Sequence, residues 1–455
     1  NAQVTFFQKN HGLYAGAMSG SGLLAKTGAG TLTLLGANSY SGGTLVSAGE
    51  LVGTTTSLQG AITNTTTVTF NQSINGTYAG VMSGSGTLSK KGSGTATLTG
   101  TSTYTGGVDL NAGGLVLVDG AIRLGQGSFA ATAIDYTIAN NATLELRANS
   151  TNAGFFYLTG DGIFRKSGAG ELFTFSANAL FGLGSGSLIH VEEGTYRFGA
   201  AGIGDWSSNL ADMQVDAGAT FNGAATAILL DSLDGAGSVQ IGGGITVGVD
   251  GGSGVFSGTI GNSIYGNAFT LTKVGAGTQT LSGASSYTGG TLVSAGRLSG
   301  NTASLQGAIT NNAAVTFSQN TNGTYAGVVS GSGTLLKSGT GTTTFSGVST
   351  YSGGTEVQQG TLKVEGSTDN SVVTATSGGT IGGSGSIGGL IVNSGGTLSP
   401  GSSPGTITVS GNATWNPGGN YNWQAYNLEG TAGAADGWDL TSISGTLDLS
   451  ALSLG

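Results

Sequence analysis

The sequence contains no cysteine, only three prolines and few charged residues. The lack of cysteine excludes disulfides, thiolate metal sites and thiol catalysis, so the fold must be stabilised by burial and backbone pairing. Charged residues make up 8% of the 455 residues, against about 25% in ordinary soluble domains. Thirteen Lys and Arg residues over this length cannot form a phosphate-binding surface, which argues against nucleic-acid binding. No apolar run reaches about 18 residues, so no transmembrane helix is predicted.

Glycine accounts for 90 residues, close to one in five. Collagen would need glycine at every third position and abundant proline, and the chain has neither feature. A net charge of −9 is too small for a disordered acidic chain of this length. The chain begins at Asn1 without a basic and then apolar leader, which indicates a processed mature chain or an excised segment.

A unit of 64 residues repeats along the chain, since Val-Thr-Phe at 4–6 recurs at 68–70 and again at 315–317. Residues 57–64 reappear unchanged at 304–311. A Lys-x-Gly-x-Gly element is followed, fourteen residues after its lysine, by Tyr-(Ser/Thr)-Gly-Gly. The lysines are Lys26, Lys90, Lys273 and Lys337, with a looser copy at Lys166, and the tyrosines are Tyr40, Tyr104, Tyr287 and Tyr351.

Alternating polar and apolar residues, such as Thr31 to Leu34, predict short β-strands separated by glycine-rich turns. No segment keeps a helical period for three turns. Short strands with long-range repetition fit either an array of β-sandwiches or a solenoid. The repeats run on without linkers, and a 64-residue unit equals about three coils of roughly 20 residues. We therefore predict an all-β fold, a β-solenoid of parallel strands.

The regularity of the repeats predicts five segments. Residues 1–118 and 266–366 form regular solenoid repeats, whereas 119–265 form irregular coils with longer insertions. Short glycine-rich coils follow at 367–410. Residues 411–455 hold Pro417 and three of the four tryptophans, and they are predicted to form a C-terminal capping or assembly element.

The combination of Lys-x-Gly-x-Gly-Thr-x-Thr-Leu, Tyr-(Ser/Thr)-Gly-Gly-Thr and a strand ending in Gly-x-Leu resembles the autotransporter-associated β-strand repeat. That repeat is also called the passenger-associated transport repeat. It spans Lys26–Leu51, Lys90–Leu115, Lys273–Leu298 and Lys337–Leu362. The resemblance implies a right-handed parallel β-helix that is exported across an outer membrane and displayed at the cell surface. A C-terminal translocating barrel, expected in such proteins, is not recognisable before Gly455.

No constellation of catalytic, cofactor-binding or metal-binding residues stands out. Glu192 and Glu193 are neighbours in a predicted strand and therefore point to opposite faces. His11 and His190 lie far apart and at no ligand spacing. A single calcium site within 119–265 stays open. The repeated tyrosines fit either buried turn packing, which we favour, or an exposed aromatic strip for glycans.

We predict a non-enzymatic, exported protein with a structural role at the bacterial cell surface. It would be either a self-assembling fibre subunit that stacks head to tail or an adhesive passenger, so its partner would be itself or a surface glycan or protein. No cofactor, metal or nucleic acid is expected. The alternative is a carbohydrate-active β-helix with a site around Asp161, Glu192 and Trp206. The expected assembly edges contain Val4, Thr5, Phe6, Trp415, Trp423 and Trp438.

Overall fold

The computed structural model describes residues 2–122, 133–154, 156–174, 180–198, 204–263, 268–401 and 404–452. These residues form β-strands and a single 3-10 turn at Asp119–Ala121, as the alternation of polar and apolar residues predicts. Within these ranges, no helix has the length and apolar character needed to cross a membrane.

The chain divides into two compact units, Asn1–Gly243 with Ser263–Asn267 and Gly244–Asn262 with Ala268–Gly455. The predicted five-segment division rests on sequence regularity and stays a prediction.

The first unit consists of short strands that follow one another at intervals of a few residues. In chain order these are β1 Gln3–Phe7, β2 Gly12–Tyr14, β3 Leu23–Thr27, β4 Thr31–Leu34, β5 Thr44–Val46, β6 Glu50–Gly53, β7 Ile62–Asn64, β8 Thr67–Asn71, β9 Gly76–Tyr78, β10 Met82–Ser83, β11 Thr87–Lys91, β12 Thr95–Leu98, β13 Val108–Leu110, β14 Gly113–Val118, β15 Ile134–Ile138, β16 Ala142–Arg147, β17 Asn152–Gly154, β18 Phe156–Gly160, β19 Ile163–Ser167, β20 Glu171–Thr174, β21 Phe181–Leu183, β22 Leu188–Val191, β23 Thr195–Phe198, β24 Asp212–Val215, β25 Thr220–Ala224, β26 Ile228–Leu230, β27 Leu233–Gly235 and β28 Ser238–Ile241.

The second unit has the same construction. Its strands are β29 Ile245–Val247, β30 Gly254–Phe256, β31 Thr259–Asn262, β32 Leu271–Lys273, β33 Thr278–Leu281, β34 Thr291–Val293, β35 Arg297–Gly300, β36 Ile309–Asn311, β37 Ala314–Ser318, β38 Gly323–Tyr325, β39 Val329–Ser330, β40 Thr334–Ser338, β41 Thr342–Phe345, β42 Thr355–Val357, β43 Gly360–Val364, β44 Ser367–Ala375, β45 Gly379–Gly383, β46 Ser386–Val392, β47 Thr397–Pro400, β48 Thr406–Val409, β49 Ala413–Trp415, β50 Asn420–Tyr421, β51 Leu440–Ile443 and β52 Leu447–Asp448.

Strands of the described residues pair in parallel with strands one coil earlier and one coil later. In the regular part β11 pairs with β8 and with β13, in the registers Leu88↔Val68 and Leu88↔Val108. In these two pairings the paired residues are 20 positions apart in the sequence. At the start of the irregular part the distance is longer, because Val108 pairs with Tyr136. Each unit is thus a β-solenoid, which confirms the predicted fold class.

The register places equivalent residues of the 64-residue repeat opposite equivalent partners. Val4 lies opposite Leu24, Val68 opposite Leu88, and Val315 opposite Leu335. Inward-facing residues of successive coils therefore stack into apolar ladders. Within these ladders Val68, Leu88 and Val315 are at most 1% exposed. Each fully buried aliphatic side chain of this kind contributes about 1.5–3 kcal/mol to folding.

In the irregular part of the first unit an aromatic cluster fills the interior. Trp206 stacks on Phe181 with ring centroids 4.5 Å apart and an interplanar angle of 8°. Both rings also contact Phe198. Large aromatic side chains thus pack against one another inside these coils.

Candidate functional site

The lysine of each Lys-x-Gly-x-Gly element is fully buried and donates hydrogen bonds to backbone carbonyl oxygens. The Lys26 Nζ donates to the carbonyls of Thr27, Gly28 and Ala48, at 3.0, 2.7 and 2.9 Å. The first two carbonyls belong to the turn that follows the lysine, and the third belongs to the next coil. The same arrangement surrounds Lys90, Lys166 and Lys337, and Lys273 donates to the carbonyls of Val274 and Gly275.

The motif requires glycines because these carbonyls lie close to the lysine ammonium and to the neighbouring coil. Gly28 has a φ of +77° and directs its carbonyl at the ammonium, a conformation that favours glycine. Gly49, one coil later, has a φ of +69°. A Cβ on Gly49 would lie 2.3 Å from the Gly30 oxygen and 2.8 Å from the Lys26 Nζ. The motif is therefore a structural clamp between two coils, in which an ammonium with three donors matches three carbonyls.

Burial makes the charged form of these lysines less favourable and lowers their pKa. The pKa falls to about 8 for Lys90, Lys166 and Lys337, because of desolvation. Burial also lowers the pKa of Lys26. At neutral pH the side chains stay protonated, and the oriented carbonyl dipoles replace part of the hydration of the ammonium.

The Tyr-(Ser/Thr)-Gly-Gly-Thr element closes a second turn. The Tyr40 hydroxyl hydrogen-bonds to the Thr44 hydroxyl at 2.8 Å, and the Tyr287 and Tyr351 hydroxyls do the same with Thr291 and Thr355. The rings are at most 5% exposed. The favoured prediction of buried turn packing is thus confirmed for these tyrosines, and an exposed aromatic strip for glycans is wrong for them.

The residues of the predicted carbohydrate site do not form a sugar-binding surface. Trp206 is only 1% exposed and is buried against Phe181, so its ring cannot stack on a sugar. Asp161 is exposed. Glu192 is also exposed, and its carboxylate lies 3.6 Å from the Arg165 Nε. The prediction was wrong for Trp206, because a lone tryptophan in an irregular segment gives no period that would distinguish interior from surface.

The two histidines are not brought together. His11 is exposed, and the His190 Nε2 lies 2.8 Å from the Asp216 carboxylate. Asp216 also accepts a hydrogen bond from the Gln214 side-chain amide at 2.7 Å. In the part of the chain that the structure describes, no three His, Cys, Asp or Glu side chains are grouped so that they could hold a metal ion.

The predicted N-terminal edge is exposed at β1. This strand pairs with β3, and the pairings of the described strands give it no second partner. Val4 is 53% exposed, although its repeat equivalents Val68 and Val315 are fully buried. Thr5 is exposed and Phe6 is half-buried.

The three C-terminal tryptophans differ in exposure. Trp423 is 48% exposed, and its indole N–H donates to the Asp439 carbonyl at 3.1 Å. Trp438 is half-buried. Trp415, also half-buried, contacts Tyr421 edge to face at a centroid distance of 5.8 Å.

Sequence reasoning missed an apolar groove beside Trp415, which we call the C-terminal groove. Its volume is about 470 Å³, and it is lined by Trp415, Tyr421, Leu440, Ile443, Leu447, Leu449 and Leu452, together with Asp439 and Thr441. Leu447 and Leu449 are each 46% exposed. The sequence did contain a signal for a strand beside this groove, because Gly445-Thr446-Leu447 repeats the Gly-x-Leu pattern that ends the regular units.

The family model of the passenger-associated transport repeat matches residues 24–52, 88–117, 271–299 and 335–364. These ranges contain the tyrosine turns and four of the five lysine clamps described above, and the clamp of Lys166 lies outside them. The chain carries four passenger-associated transport repeats. It is an exported β-solenoid of the cell surface, as the resemblance implies.

A curated relative supports the same assignment. The chain is similar to a protein of Brucella suis biovar 1 (strain 1330) named Adhesin BmaC autotransporter, with 30% identity over 342 residues. The match covers 62% of this chain but only 10% of the relative. The chain therefore spans about a tenth of the length of that protein.

Replacing a clamp lysine with methionine should destabilise the first unit strongly. Lys90→Met keeps the length of the side chain but leaves three buried carbonyls without their donor, at about 1–3 kcal/mol for each unsatisfied group. We expect a loss of about 3 kcal/mol or more in the free energy of unfolding, measured by urea denaturation followed by far-UV circular dichroism. The matched control is Lys91→Met, because Lys91 is exposed and only pairs with Glu50 at 3.5 Å. Equal effects of the two substitutions would contradict the clamp.

The free energy of unfolding should rise between about pH 8 and 10 and fall at higher pH. Clamp lysines lose their proton near pH 8 in the folded state but only near 10.5 when unfolded, so the unfolded state binds more protons in this interval. Burial raises the pKa of Tyr78 and Tyr325 above the ordinary 10.0, so ionisation of the unfolded tyrosines favours unfolding above pH 10. Urea midpoints from pH 7 to 11 measure this profile. A steady fall from pH 7 onward would contradict it.

Proposed function

We propose that this chain is a non-enzymatic structural protein of the cell surface whose copies assemble head to tail into a fibre. One observation carries the proposal, namely the exposed outer edge of β1. A strand edge without a partner is a template for another strand. In the repeats the equivalent edges of β8 and β37 are covered by β6 and β35, which bury Val68 and Val315 completely. The edge of β1 can therefore accept one more coil, either from another copy or from chain that precedes residue 1.

The roles of the repeated residues support a structural function. The clamp lysines and turn tyrosines make hydrogen bonds inside the solenoid, and they are buried. Trp206, the aromatic residue of the alternative carbohydrate site, belongs to the core. The carboxylates of that hypothesis, Asp161 and Glu192, are surface groups, and a solvated surface carboxylate is the ordinary state of such a residue.

Adhesion is the second candidate, and two observations favour it. The relative from Brucella suis is named an adhesin. In the second unit a polar groove of about 520 Å³ lies on the strands β40 and β42, and it is lined among others by Arg297, Glu356, Gln358 and Asn393. Such a groove offers charged and amide groups to a surface glycan or protein. A chain that stays monomeric and binds cells through this groove would favour adhesion over the fibre.

Negative-stain microscopy and sedimentation velocity over a concentration series test the fibre proposal. We expect monomers at low concentration and unbranched filaments at high concentration, since head-to-tail association of two different surfaces is open-ended unless its rotation closes a ring. A chain that stays monomeric at all concentrations would contradict self-assembly and leave a displayed passenger.

A further inference from the structure

A polar groove in the second unit lies where three successive strands end. In these strands β33 pairs with β35 and β35 pairs with β37, and the segments that follow them complete the groove. Its volume is about 360 Å³, and small-molecule sites usually measure about 300–1,000 Å³. We call it the amide groove, because its lining includes the side chains of Asn301, Gln319, Asn320 and Asn322.

The lining of the amide groove is polar but uncharged. The residues that form it, all within the described part of the chain, include no charged side chain and no aromatic ring. Besides the amides they offer hydroxyl groups, among them those of Thr280, Ser282 and Ser299. A phosphate or carboxylate ligand would need a cation, and an apolar ligand would need an apolar wall. An uncharged ligand rich in hydroxyl groups fits this lining, because hydroxyls and amides both donate and accept hydrogen bonds.

Gln319 holds an unused hydrogen-bond donor in this groove. Its side chain is only 4% exposed, and its Oε1 accepts a hydrogen bond from the Thr302 backbone N–H at 2.9 Å. Among the described residues, its Nε2 has no hydrogen-bond partner. A buried amide donor without a partner is unfavourable, so a ligand oxygen that accepts from Nε2 would gain from it.

The equivalent glutamine of the first unit, Gln72, has no spare donor. Its Oε1 accepts from the Thr55 backbone N–H at 3.0 Å. Its Nε2 donates to the carbonyls of Ile74 and Thr95, at 3.0 and 2.8 Å. The spare donor of Gln319 is therefore a local property of the second unit and not a requirement of the repeat.

Three other positions of the groove also differ between the two units. The first unit has Leu35, Val52 and Ile74 where the second has Ser282, Ser299 and Thr321. Leu35 is 57% exposed and Ile74 is 80% exposed, so the fold does not require an apolar residue at either place. The neighbouring residues 57–64 and 304–311 are identical. The change from apolar side chains to hydroxyls thus makes the groove polar in the second unit.

We propose that the amide groove binds an uncharged oligosaccharide. The Gln319 Nε2 donates to an oxygen of the sugar, and the hydroxyls of Ser282 and Ser299 exchange hydrogen bonds with the sugar hydroxyls. The affinity is expected in the millimolar range, since no aromatic ring of the described lining stacks on the sugar. The proposal goes beyond the fibre and does not depend on it, because none of these residues lies on β1.

Saturation-transfer difference NMR of the full chain tests the class of ligand. The neutral probes are cellotriose, maltotriose and chitobiose, and the acidic probes are trigalacturonate and a heparin disaccharide. We expect transfer to at least one neutral probe, and at least tenfold weaker binding of both acidic probes. No transfer to any neutral probe, or tighter binding of an acidic probe, would overturn the proposal.

An exchange of wall residues between the two units tests the location of the site. One variant combines Ser282→Leu, Ser299→Val and Thr321→Ile, which are the residues that the first unit tolerates at these positions. Its affinity for the neutral probe should fall at least tenfold, because hydrogen-bonding groups of the groove are removed. The matched control is the reciprocal exchange, Leu35→Ser, Val52→Ser and Ile74→Thr, which should not weaken binding. Unchanged affinity after the first exchange would overturn the proposal.

Gln319→Glu tests the amide donor by itself. Glutamate keeps an acceptor for the Thr302 N–H but lacks the donor, so we expect at least tenfold weaker binding of the neutral probe. Circular dichroism checks that the variant is folded, and unchanged affinity of the folded variant would overturn the role of the amide. Microscopy of the same variants should show unchanged assembly, so the fibre proposal and the sugar site can fail separately.

Discussion

The hydrogen bonds of a buried lysine ammonium to three carbonyls are the constraint on which the regular coils depend. Main-chain carbonyls at the end of a strand would otherwise face the interior without a donor, at a cost of about 1–3 kcal/mol each. The ammonium of Lys26 satisfies two of them in its own turn and one in the next coil. One side chain thereby fixes the shape of a turn and the stacking of two coils.

The composition follows from this arrangement. Carbonyl oxygens can approach the ammonium and one another so closely only where no Cβ intervenes, so the clamp requires glycine in both coils, at positions such as Gly28 and Gly49. Five of the eight lysines of the chain are used inside the solenoid in this way. A buried lysine costs desolvation free energy, which appears as the lowered pKa of Lys90, Lys166 and Lys337.

The solenoid could be predicted from the sequence because repetition converts a weak local signal into a strong one. A short strand such as Thr31–Leu34 is an ambiguous signal by itself, but the recurrence of such strands at a fixed interval predicts the coils of a solenoid. The structure agrees with this prediction, because β8 and β37 pair with their neighbours in equivalent registers.

Residues outside the repeats could not be placed in this way. Trp206 belongs to the interior, and its exposure could not be read from its neighbours. The two-residue strand β52 was too short to be recognised, although its first residue, Leu447, completes a Gly-x-Leu pattern. The carbonyl oxygens that accept hydrogen bonds from the lysines could not be predicted either, because they belong to turns and to the next coil.

Amine labelling followed by mass spectrometry tests the clamp most directly. The folded chain is treated with an acylating reagent at pH 8, and the modification of each lysine is followed over time. The account predicts rapid labelling of the exposed Lys9 and Lys91 and protection of the five buried lysines, Lys26, Lys90, Lys166, Lys273 and Lys337, until the chain is unfolded in urea. Labelling of these five at the rate of Lys91 in the folded chain would contradict it.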